Sequence, residues 1–531
     1  MPFGSSKNSR RLNPRSGGTR RVGALMLVLA LAGALTLFSG PQQSPPPESK
    51  EVQAARRIED RDARIKELER IKAAYPQSRM LAAIDRYIFE ARIDLCETID
   101  AVVELQKPSL SEGKGFARLD AFYFACDRVL GHRNIDRFDK AKVTAVVESY
   151  VAAYLRAAAD PVVVGDISED QRKYIASYTS SLFLYEAQAY VREGRAEQAL
   201  DALEQCRKAG TPAGPAFSYI SAEAYALQGR NAEASDAYFA AAVENYKDAE
   251  AKARALYLKL RGSLDGFDAR LEQKWRELPY HPERFTPAPG WRWKGKTVLV
   301  ELFTGSECSP CVAADLGFDG LMEAFDPRYL AVLEYHLPIP GPDPLMNPAT
   351  RKRQEYYGVS STPTPFFDGE LKLPGGGPKA RAEQKFKDYK SETEPRVSET
   401  PPVALKAAAG RRGGVVTVKC SFDRVVPGAD YDVALVEKEV LYRGSNGIVY
   451  HKMVVRDLVT FEPSGKTARA IFDLGAAESG AARHLEDFEK ERSFRFTEKR
   501  TRIDPARLAV VFFVQDQRTK KILNAFYAQV K

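Results

Sequence analysis

Two cysteines separated by two residues, Cys308 and Cys311, are the side chains of this chain best suited to covalent chemistry. Three kinds of site use this spacing: a redox-active dithiol, half of a zinc site, and an inert structural disulfide. A tetrahedral zinc site needs a second pair of Cys or His ligands. The other four cysteines stand singly, at Cys96, Cys126, Cys206 and Cys420. We therefore expect no metal, and the dithiol and the structural disulfide both stay open.

The segments around the pair predict alternating strands and helices. Residues 297–303 form an apolar, β-rich run, and apolar residues at helical spacing follow the cysteines. A second strand is predicted at 330–336, a hairpin at 358–373 and an amphipathic helix at 378–390. The pair therefore stands where a strand passes into a helix. Free N–H groups and the helix dipole at such a junction favour a thiolate at Cys308.

This order of elements, together with the C-S-P-C motif and a later Thr-Pro step, resembles the thioredoxin fold over residues 291–390. The resemblance implies that Cys308 is an exposed nucleophile and that Cys311 is the thiol that resolves the mixed disulfide. It also implies that Pro363 follows a cis peptide bond, and that Thr362 and Pro363 dock an extended substrate.

Glu301 precedes Cys308 by seven residues and is the candidate for the buried acid that exchanges a proton with the resolving cysteine in thioredoxins. Burial would raise its pKa and suit it to that role. The alternative is a glutamate on a strand edge that faces water. His336 ends the second predicted strand and is either part of the rim of the site or structural. Asp343, in the Pro-rich stretch after it, is predicted to cap a turn.

Composition and charge exclude several classes of protein. The chain has 531 residues, and its 79 Lys and Arg are mixed with 71 Asp and Glu. Nucleic-acid surfaces need clustered basic charge, so we expect no nucleic-acid partner. Six cysteines in a chain of this length are too few for a disulfide scaffold.

The N-terminus predicts export from the cytoplasm. Residues 1–21 are basic, residues 22–38 are an uncharged apolar run, and residues 39–50 form a Pro-rich linker. The apolar run is predicted to be a transmembrane anchor, with a signal-peptide core as the alternative. The bulk of the chain is then expected in the periplasm or outside the cytoplasm, tethered to the cell membrane or, in the alternative, cleaved and exported.

Residues 51–262 are predicted to be helical, and two segments within them are similar to each other at an offset of 35 residues. The repeated positions are a tyrosine, a glycine and an alanine: Tyr190 and Tyr225, Gly194 and Gly229, Ala199 and Ala234. These segments resemble tetratricopeptide repeats, in which the glycine fits the turn and the alanine the helix contact. A plain helical bundle is the alternative. The resemblance implies a protein partner on the helical repeats.

Residues 403–531 change to the period of two that is typical of strands, with polar turns between short β-rich runs. About seven strands predict a β-sandwich of immunoglobulin type, although the lone Cys420 excludes the intersheet disulfide of antibody domains. Polar and Pro-rich segments predict linkers at 263–290 and 391–402.

The predicted fold class is therefore multidomain: an N-terminal membrane segment, an all-α helical repeat domain, an α/β thioredoxin-like domain and an all-β C-terminal sandwich. In the segments 299–321, 335–345 and 442–456, a thioredoxin-like core followed by a β-sandwich resembles a group of bacterial envelope proteins. We expect a membrane-tethered thiol–disulfide oxidoreductase that acts on protein thiols and disulfides without a cofactor. The alternative is a non-catalytic surface or scaffold protein in which the repeats and the sandwich bind partners.

Overall fold

The structure, a computed structural model, describes residues 48–112, 114–210, 214–463, 465–492 and 494–531. It is multidomain, with a helical N-terminal half and a β-rich C-terminal region, as predicted in outline. The chain divides into two compact units between residues 211 and 212. None of the helices in the described part is both long and apolar enough to cross a bilayer. The predicted membrane segment, 22–38, lies outside the described residues.

The described residues of the first unit form helices joined by short turns. In chain order these are α1 (Ser49–Arg56), α2 (Arg61–Ala74), α3 (Leu81–Leu95), α4 (Ile99–Glu112), α5 (Gly115–Leu130), α6 (Lys140–Ala159), α7 (Pro161–Gly165), α8 (Glu169–Glu193) and α9 (Ala196–Lys208). Side-chain caps start several of them; the Ser168 hydroxyl, for example, accepts from the Gln171 N–H at the start of α8. Buried aliphatic and aromatic side chains from α3 to α8 form the main core of this unit.

The second unit begins with four more helices, α10 (Pro215–Leu227), α11 (Asn231–Val243), α12 (Ala249–Arg261) and α13 (Phe267–Arg276). The division between the units thus falls inside the helical region predicted at 51–262, because helical periodicity reports which face of a helix is apolar and not which helices pack together. Helix α13 occupies part of the predicted linker 263–290, and Phe267 and Leu271 bury its apolar face.

The turns α8–α9 and α10–α11 have the same geometry, as their sequence similarity predicts. A glycine with positive φ lies in each turn, an arginine N–H donates to the tyrosine carbonyl five residues earlier, and the guanidinium lies 4.5 Å from that tyrosine ring. The residues are Tyr190, Gly194 and Arg195 in one turn, and Tyr225, Gly229 and Arg230 in the other. The alanines in the following helices, Ala199 and Ala234, are fully buried.

Eleven strands follow in the described part of the second unit: β1 (Val298–Thr304), β2 (Leu330–His336), β3 (Thr364–Phe367), β4 (Glu370–Leu371), β5 (Leu405–Arg412), β6 (Val415–Phe422), β7 (Ala429–Leu441), β8 (Tyr450–Phe461), β9 (Thr467–Asp473), β10 (Leu508–Asp516) and β11 (Ile522–Gln529). One sheet has eight strands in the order β11-β10-β7-β8-β2-β1-β3-β4, and the other has the order β5-β6-β9. Apolar side chains of β6, β9, β7 and β10 form a core between the two sheets.

The eight-stranded sheet runs across the predicted boundary between residues 291–390 and 403–531. Strands β1 and β2 are parallel, β3 lies antiparallel to β1, and β2 pairs in parallel with β8 at Glu334 and Val454. Four helices accompany the strands: α14 (Val312–Ala324), α15 (Pro348–Tyr357), α16 (Ala382–Val397) and α17 (Leu474–Arg492). Helix α16 continues into the predicted linker 391–402, because Thr393 and Val397 are buried.

Candidate functional site

The disulfide lies in the turn between β1 and α14. Cys308 and Cys311 are joined by a disulfide bond across a short 3-10 turn, Ser309–Cys311. The Cys308 N–H donates to the Gly305 carbonyl at 3.0 Å, and the Cys311 N–H donates to the Cys308 carbonyl at 3.0 Å. The predicted strand-to-helix junction is present, but the α-helix begins at Val312, so that Cys308 caps the 3-10 turn and not the α-helix itself.

The structure brings Thr362 and Pro363 to the disulfide from more than 50 residues away. The Thr362 hydroxyl lies 3.4 Å from the Cys308 sulfur and donates to the Ile339 carbonyl at 2.8 Å. The peptide bond between Thr362 and Pro363 is cis. These two residues directly precede β3, which is paired with β1, and this pairing carries them to the end of β1 where the disulfide lies.

Both sulfurs are covered, although the thioredoxin-like resemblance implies an exposed Cys308. Cys308 is 1% exposed and Cys311 is fully buried. Three segments, 337–345, 374–378 and 442–448, contact the turn that carries the disulfide. The prediction of an exposed nucleophile is therefore wrong for this conformation, because the sequence does not show which distant loops return to the turn.

Glu301 is buried, which excludes the alternative of a strand-edge side chain in water. Both oxygens of its carboxylate already accept hydrogen bonds, however. Arg353 donates to both oxygens, at 2.7 and 2.9 Å, and the hydroxyls of Tyr335 and Tyr357 donate at 3.0 and 2.7 Å. Although burial opposes it, the Glu301 carboxylate raises the pKa of the Arg353 guanidinium. Glu301 therefore forms an ion pair with Arg353. This geometry does not favour the predicted proton exchange between Glu301 and Cys311.

Asp315, on α14, is a second buried acid near the disulfide, and the sequence predicts no role for it. It follows Cys311, the N-cap residue of α14, by four residues and lies in the first turn of this helix. The Thr304 hydroxyl donates to its carboxylate at 2.6 Å. Burial raises the pKa of Asp315 to about 7, and the bond from Thr304 opposes this rise. The signal in the sequence is the i, i+4 spacing after the second cysteine.

Asp315 belongs to a buried acidic cluster with few compensating charges. Asp319 lies one turn further along α14, and Glu334 lies on β2. Burial raises the pKa values of both carboxyls, and the neighbouring acids raise that of Glu334 further. Among the described residues, Glu334 Oε1 has no hydrogen-bond partner. The Lys452 ammonium lies 3.3 Å from Asp319 and opposes the rise of its pKa.

His336 and Asp343 form a buried pair that orders the chain before Cys308. The His336 ring nitrogen Nδ1 lies 2.9 Å from the Asp343 carboxylate, which also accepts the N–H groups of Ser306 and Leu345 at 2.7 and 2.8 Å. Burial alone would raise the pKa of Asp343, but the His336 ring and these bonds hold it below its ordinary value. The pair is structural in this geometry, and Asp343 caps its turn as predicted.

Within the described residues, no group of three or more His, Cys, Asp or Glu side chains is placed to hold a metal ion. No family model, curated protein or solved structure matches this chain significantly.

Proposed function

We propose that this protein is a thiol–disulfide oxidoreductase whose reactive pair is Cys308 and Cys311. The observation that carries the proposal is the contact at the disulfide: Thr362, which precedes a cis-proline, lies 3.4 Å from the Cys308 sulfur. The two cysteines lie between β1 and α14, and β1 pairs with β2 and β3. These features support the thioredoxin-like resemblance of residues 291–390, which we retain as part of the proposal.

The exchange reaction transfers two electrons between the cysteine pair and a substrate disulfide. In the reducing direction the Cys308 thiolate attacks one substrate sulfur, forming a mixed disulfide and releasing the other substrate sulfur as a thiolate. Cys311 then loses its proton and attacks the Cys308 sulfur. The second substrate thiolate leaves, and the Cys308–Cys311 disulfide forms. The oxidising direction is the reverse, in which a substrate thiolate attacks Cys308.

We assign the proton acceptor for Cys311 to Asp315. A general base is most effective when its pKa lies near the working pH, and burial raises the pKa of Asp315 to about 7. Asp315 also lies one helical turn from Cys311, whereas Glu301 is held by Arg353. The Thr304 hydroxyl fixes the orientation of the Asp315 carboxylate.

We also propose that the helical repeats form a surface that binds a protein partner. In the second unit, the loop 442–448 contacts both the turn before the disulfide and the junction of α11 and α12. The Asn245 side chain donates to the Gly444 carbonyl at 3.3 Å, and Arg443 pairs with Glu250. A cavity of about 320 Å³ opens beside these residues. A protein partner bound on α10–α13 would therefore lie close to the reactive pair.

The proposed location and architecture complete the assignment. We propose that the chain is tethered to the membrane by residues 22–38 and works outside the cytoplasm, and that residues 403–531 form an immunoglobulin-like sandwich. The second part is supported by the two sheets that enclose one core, with β5, β6 and β9 in one sheet and β7, β8, β10 and β11 in the other.

A second candidate function is a non-catalytic module that binds partners through the helices and the sandwich. The 1% exposure of Cys308 favours it, since a covered sulfur cannot meet a substrate. The two candidates differ in the chemistry of the cysteine pair.

Trapping of substrates distinguishes the two functions. Cys311→Ser should accumulate mixed disulfides on Cys308, detected as thiol-sensitive adducts on non-reducing gels, because the resolving thiol is absent. Cys308→Ser should trap nothing and abolish turnover of a protein disulfide. Cys96→Ser, at a half-buried cysteine outside the pair, is the matched control and should behave as wild type. Absence of adducts in Cys311→Ser, with unchanged partner binding, would establish the binding module instead.

A further inference from the structure

The segment Pro374–Pro378, here called the glycine segment, contacts the disulfide turn on one side and Pro363 on the other. It follows β4 and precedes a 3-10 turn at Lys379–Arg381. The Gly377 N–H donates to the Pro310 carbonyl at 2.7 Å, inside the disulfide turn, and the Gly377 carbonyl accepts the Ala313 N–H at 3.1 Å. On the other side, the Gly375 N–H donates weakly to the Pro363 carbonyl at 3.4 Å.

The contact at Gly376 is too close for any side chain. A Cβ atom added there would lie 1.9 Å from the Pro310 carbonyl oxygen and 2.8 Å from Cγ of Pro363. The backbone of the glycine segment therefore fills the space between Pro310, inside the disulfide turn, and Pro363, the cis-proline. Under the proposed function, a polypeptide substrate that approaches Cys308 beside Thr362 needs this same space.

The other two covering segments are held by side chains. Residues 337–345 are anchored by the buried Asp343, and residues 442–448 by Asn446, which bonds to the Gly305 carbonyl at 3.2 Å, and by the pair of Arg443 with Glu250. Opening 337–345 would break the buried contacts of Asp343, and opening 442–448 would break the half-buried bond of Asn446 and the surface pair of Arg443 with Glu250; the glycine segment has no such side-chain contacts to the site to lose.

The glycine segment is held at the site by three backbone hydrogen bonds, and its prolines, Pro374 and Pro378, are exposed. Gly375 and Gly377 have φ values of 81° and 154°, which glycine adopts at no steric cost. Two glycines beside these bonds allow the backbone to change direction without displacing a core side chain. Of the three covering segments, this one therefore opens at the lowest cost.

We propose that the glycine segment is a lid, which occupies the substrate-docking space in the closed state and must leave it before Cys308 exchanges with a polypeptide. The proposal rests on the proposed function for its purpose, but its geometry is independent of it. Opening also releases the Ala313 N–H from the Gly377 carbonyl, and an unpaired amide at the start of α14 stabilises negative charge. Access and thiolate formation are then coupled.

Hydrogen exchange tests which segment opens. In the Cys311→Ser protein, oxidised glutathione places glutathione on Cys308: the thiolate attacks one glutathione sulfur, and the other leaves as a thiolate. We compare amide exchange, by mass spectrometry, between the reduced variant and this adduct. Peptides that contain Gly377 and Ala313 should exchange faster in the adduct by about tenfold or more, because an adduct on the sulfur favours the open lid. Peptides from 442–448 should be unchanged.

Two results would overturn the lid. One is an adduct that forms while the exchange of Gly377 and Ala313 stays as in the reduced protein. The other is an adduct that accelerates exchange in 442–448 or 337–345 in place of the glycine segment.

A substitution tests the same idea without an adduct. Gly376→Ala should expel the segment, because its Cβ would overlap the Pro310 carbonyl. In the Cys311→Ser background, Cys308 should then react with iodoacetamide about tenfold faster, since the rate follows the open fraction. Gly480→Ala is the matched control: a Cβ there meets no atom within 4 Å, and Gly480 lies on α17. Equal rates in a folded Gly376→Ala protein would reject the lid, and if that variant misfolds, the exchange experiment decides.

The lid and the proposed function can fail separately. If the wild-type protein turns over no protein disulfide while both lid measurements respond as expected, the oxidoreductase assignment fails and the lid stands. If turnover is present while Gly376→Ala and the adduct leave access and exchange unchanged, the lid fails and the assignment stands.

Discussion

Glu301 and Asp315 are two buried carboxylates near one disulfide, and their surroundings differ sharply. Glu301, on β1, is fully buried and receives four hydrogen bonds, two of them from the Arg353 guanidinium. Asp315, on α14, is 7% exposed, and the bond to its carboxylate comes from the neutral Thr304 hydroxyl. A bidentate cation favours the charged form of a carboxylate, whereas burial without one favours the neutral form. Burial alone therefore does not identify a proton acceptor; the presence or absence of a charged partner does.

The largest effect expected from this comparison is on stability at Glu301. Glu301→Gln leaves the Arg353 charge buried without its carboxylate, and breaking a buried pair in this way costs roughly 3–5 kcal/mol. We expect a fall of this size in the free energy of unfolding, measured by urea denaturation at pH 7. Where the variant remains folded, resolution of the mixed disulfide should keep its wild-type rate.

The matched control is the double variant Glu301→Gln with Arg353→Met, which removes both charges. It should recover a large part of the lost stability, because no unpaired ion is then left in the core. A Glu301→Gln protein of wild-type stability that resolves mixed disulfides slowly would reverse the comparison and restore Glu301 as the proton acceptor.

Asp315→Asn should act in the opposite direction on stability. The pKa of Asp315 is about 7 in the folded chain and 3.8 as the ordinary value, so the folded protein binds more protons between these values. Its contribution therefore makes the free energy of unfolding fall as pH rises through this window. Asn does not ionise, and the variant should be more stable than wild type at pH 8 by on the order of 3 kcal/mol, with no such gain at pH 3.5.

The same substitution should slow the proposed thiol–disulfide exchange. Without the carboxylate, release of the Cys311 proton loses its acceptor, and resolution of a preformed mixed disulfide should slow by about a hundredfold. Stopped-flow release of the bound thiol measures this step directly. Asp319→Asn, one turn further from Cys311, is the control and should alter stability but not the resolution rate. Equal resolution rates in Asp315→Asn and wild type would remove Asp315 from the mechanism.

The smallest effect is expected at Thr304. Thr304→Val removes the hydroxyl that donates to Asp315 and costs about 1 kcal/mol of stability at pH 8, where the carboxylate is ionised. The lost bond had lowered the pKa of Asp315, so the pKa should rise and the pH profile of resolution should shift to higher pH. A profile that stays in place would show that the Thr304 bond does not govern this titration.

The sequence predicted local elements well where one pattern dominates. The apolar strands around the motif, the hairpin and the helix-turn repeats all appear, because period-two and helical spacing of apolar residues encode local structure directly. Polar and Pro-rich composition predicts linkers at 263–290 and 391–402, yet parts of both segments form helices. Gly and Pro mark where an element stops, and the tertiary contacts of Phe267 and Val397 decide whether the residues between such breaks are buried.

By itself, the sequence determined the cysteine pair, its place between a strand and a helix, and the Thr362–Pro363 step, since these depend on residue type and spacing along the chain. The tertiary structure alone decided that Arg353 neutralises Glu301, that the Thr304 hydroxyl is the hydrogen-bond donor to Asp315, and that Gly376 lies between Pro310 and Pro363. Each of these facts joins residues distant in the chain or depends on which charges surround a buried group. Pairing across the sheet and the return of loops set those distances, and local periodicity carries no information about them.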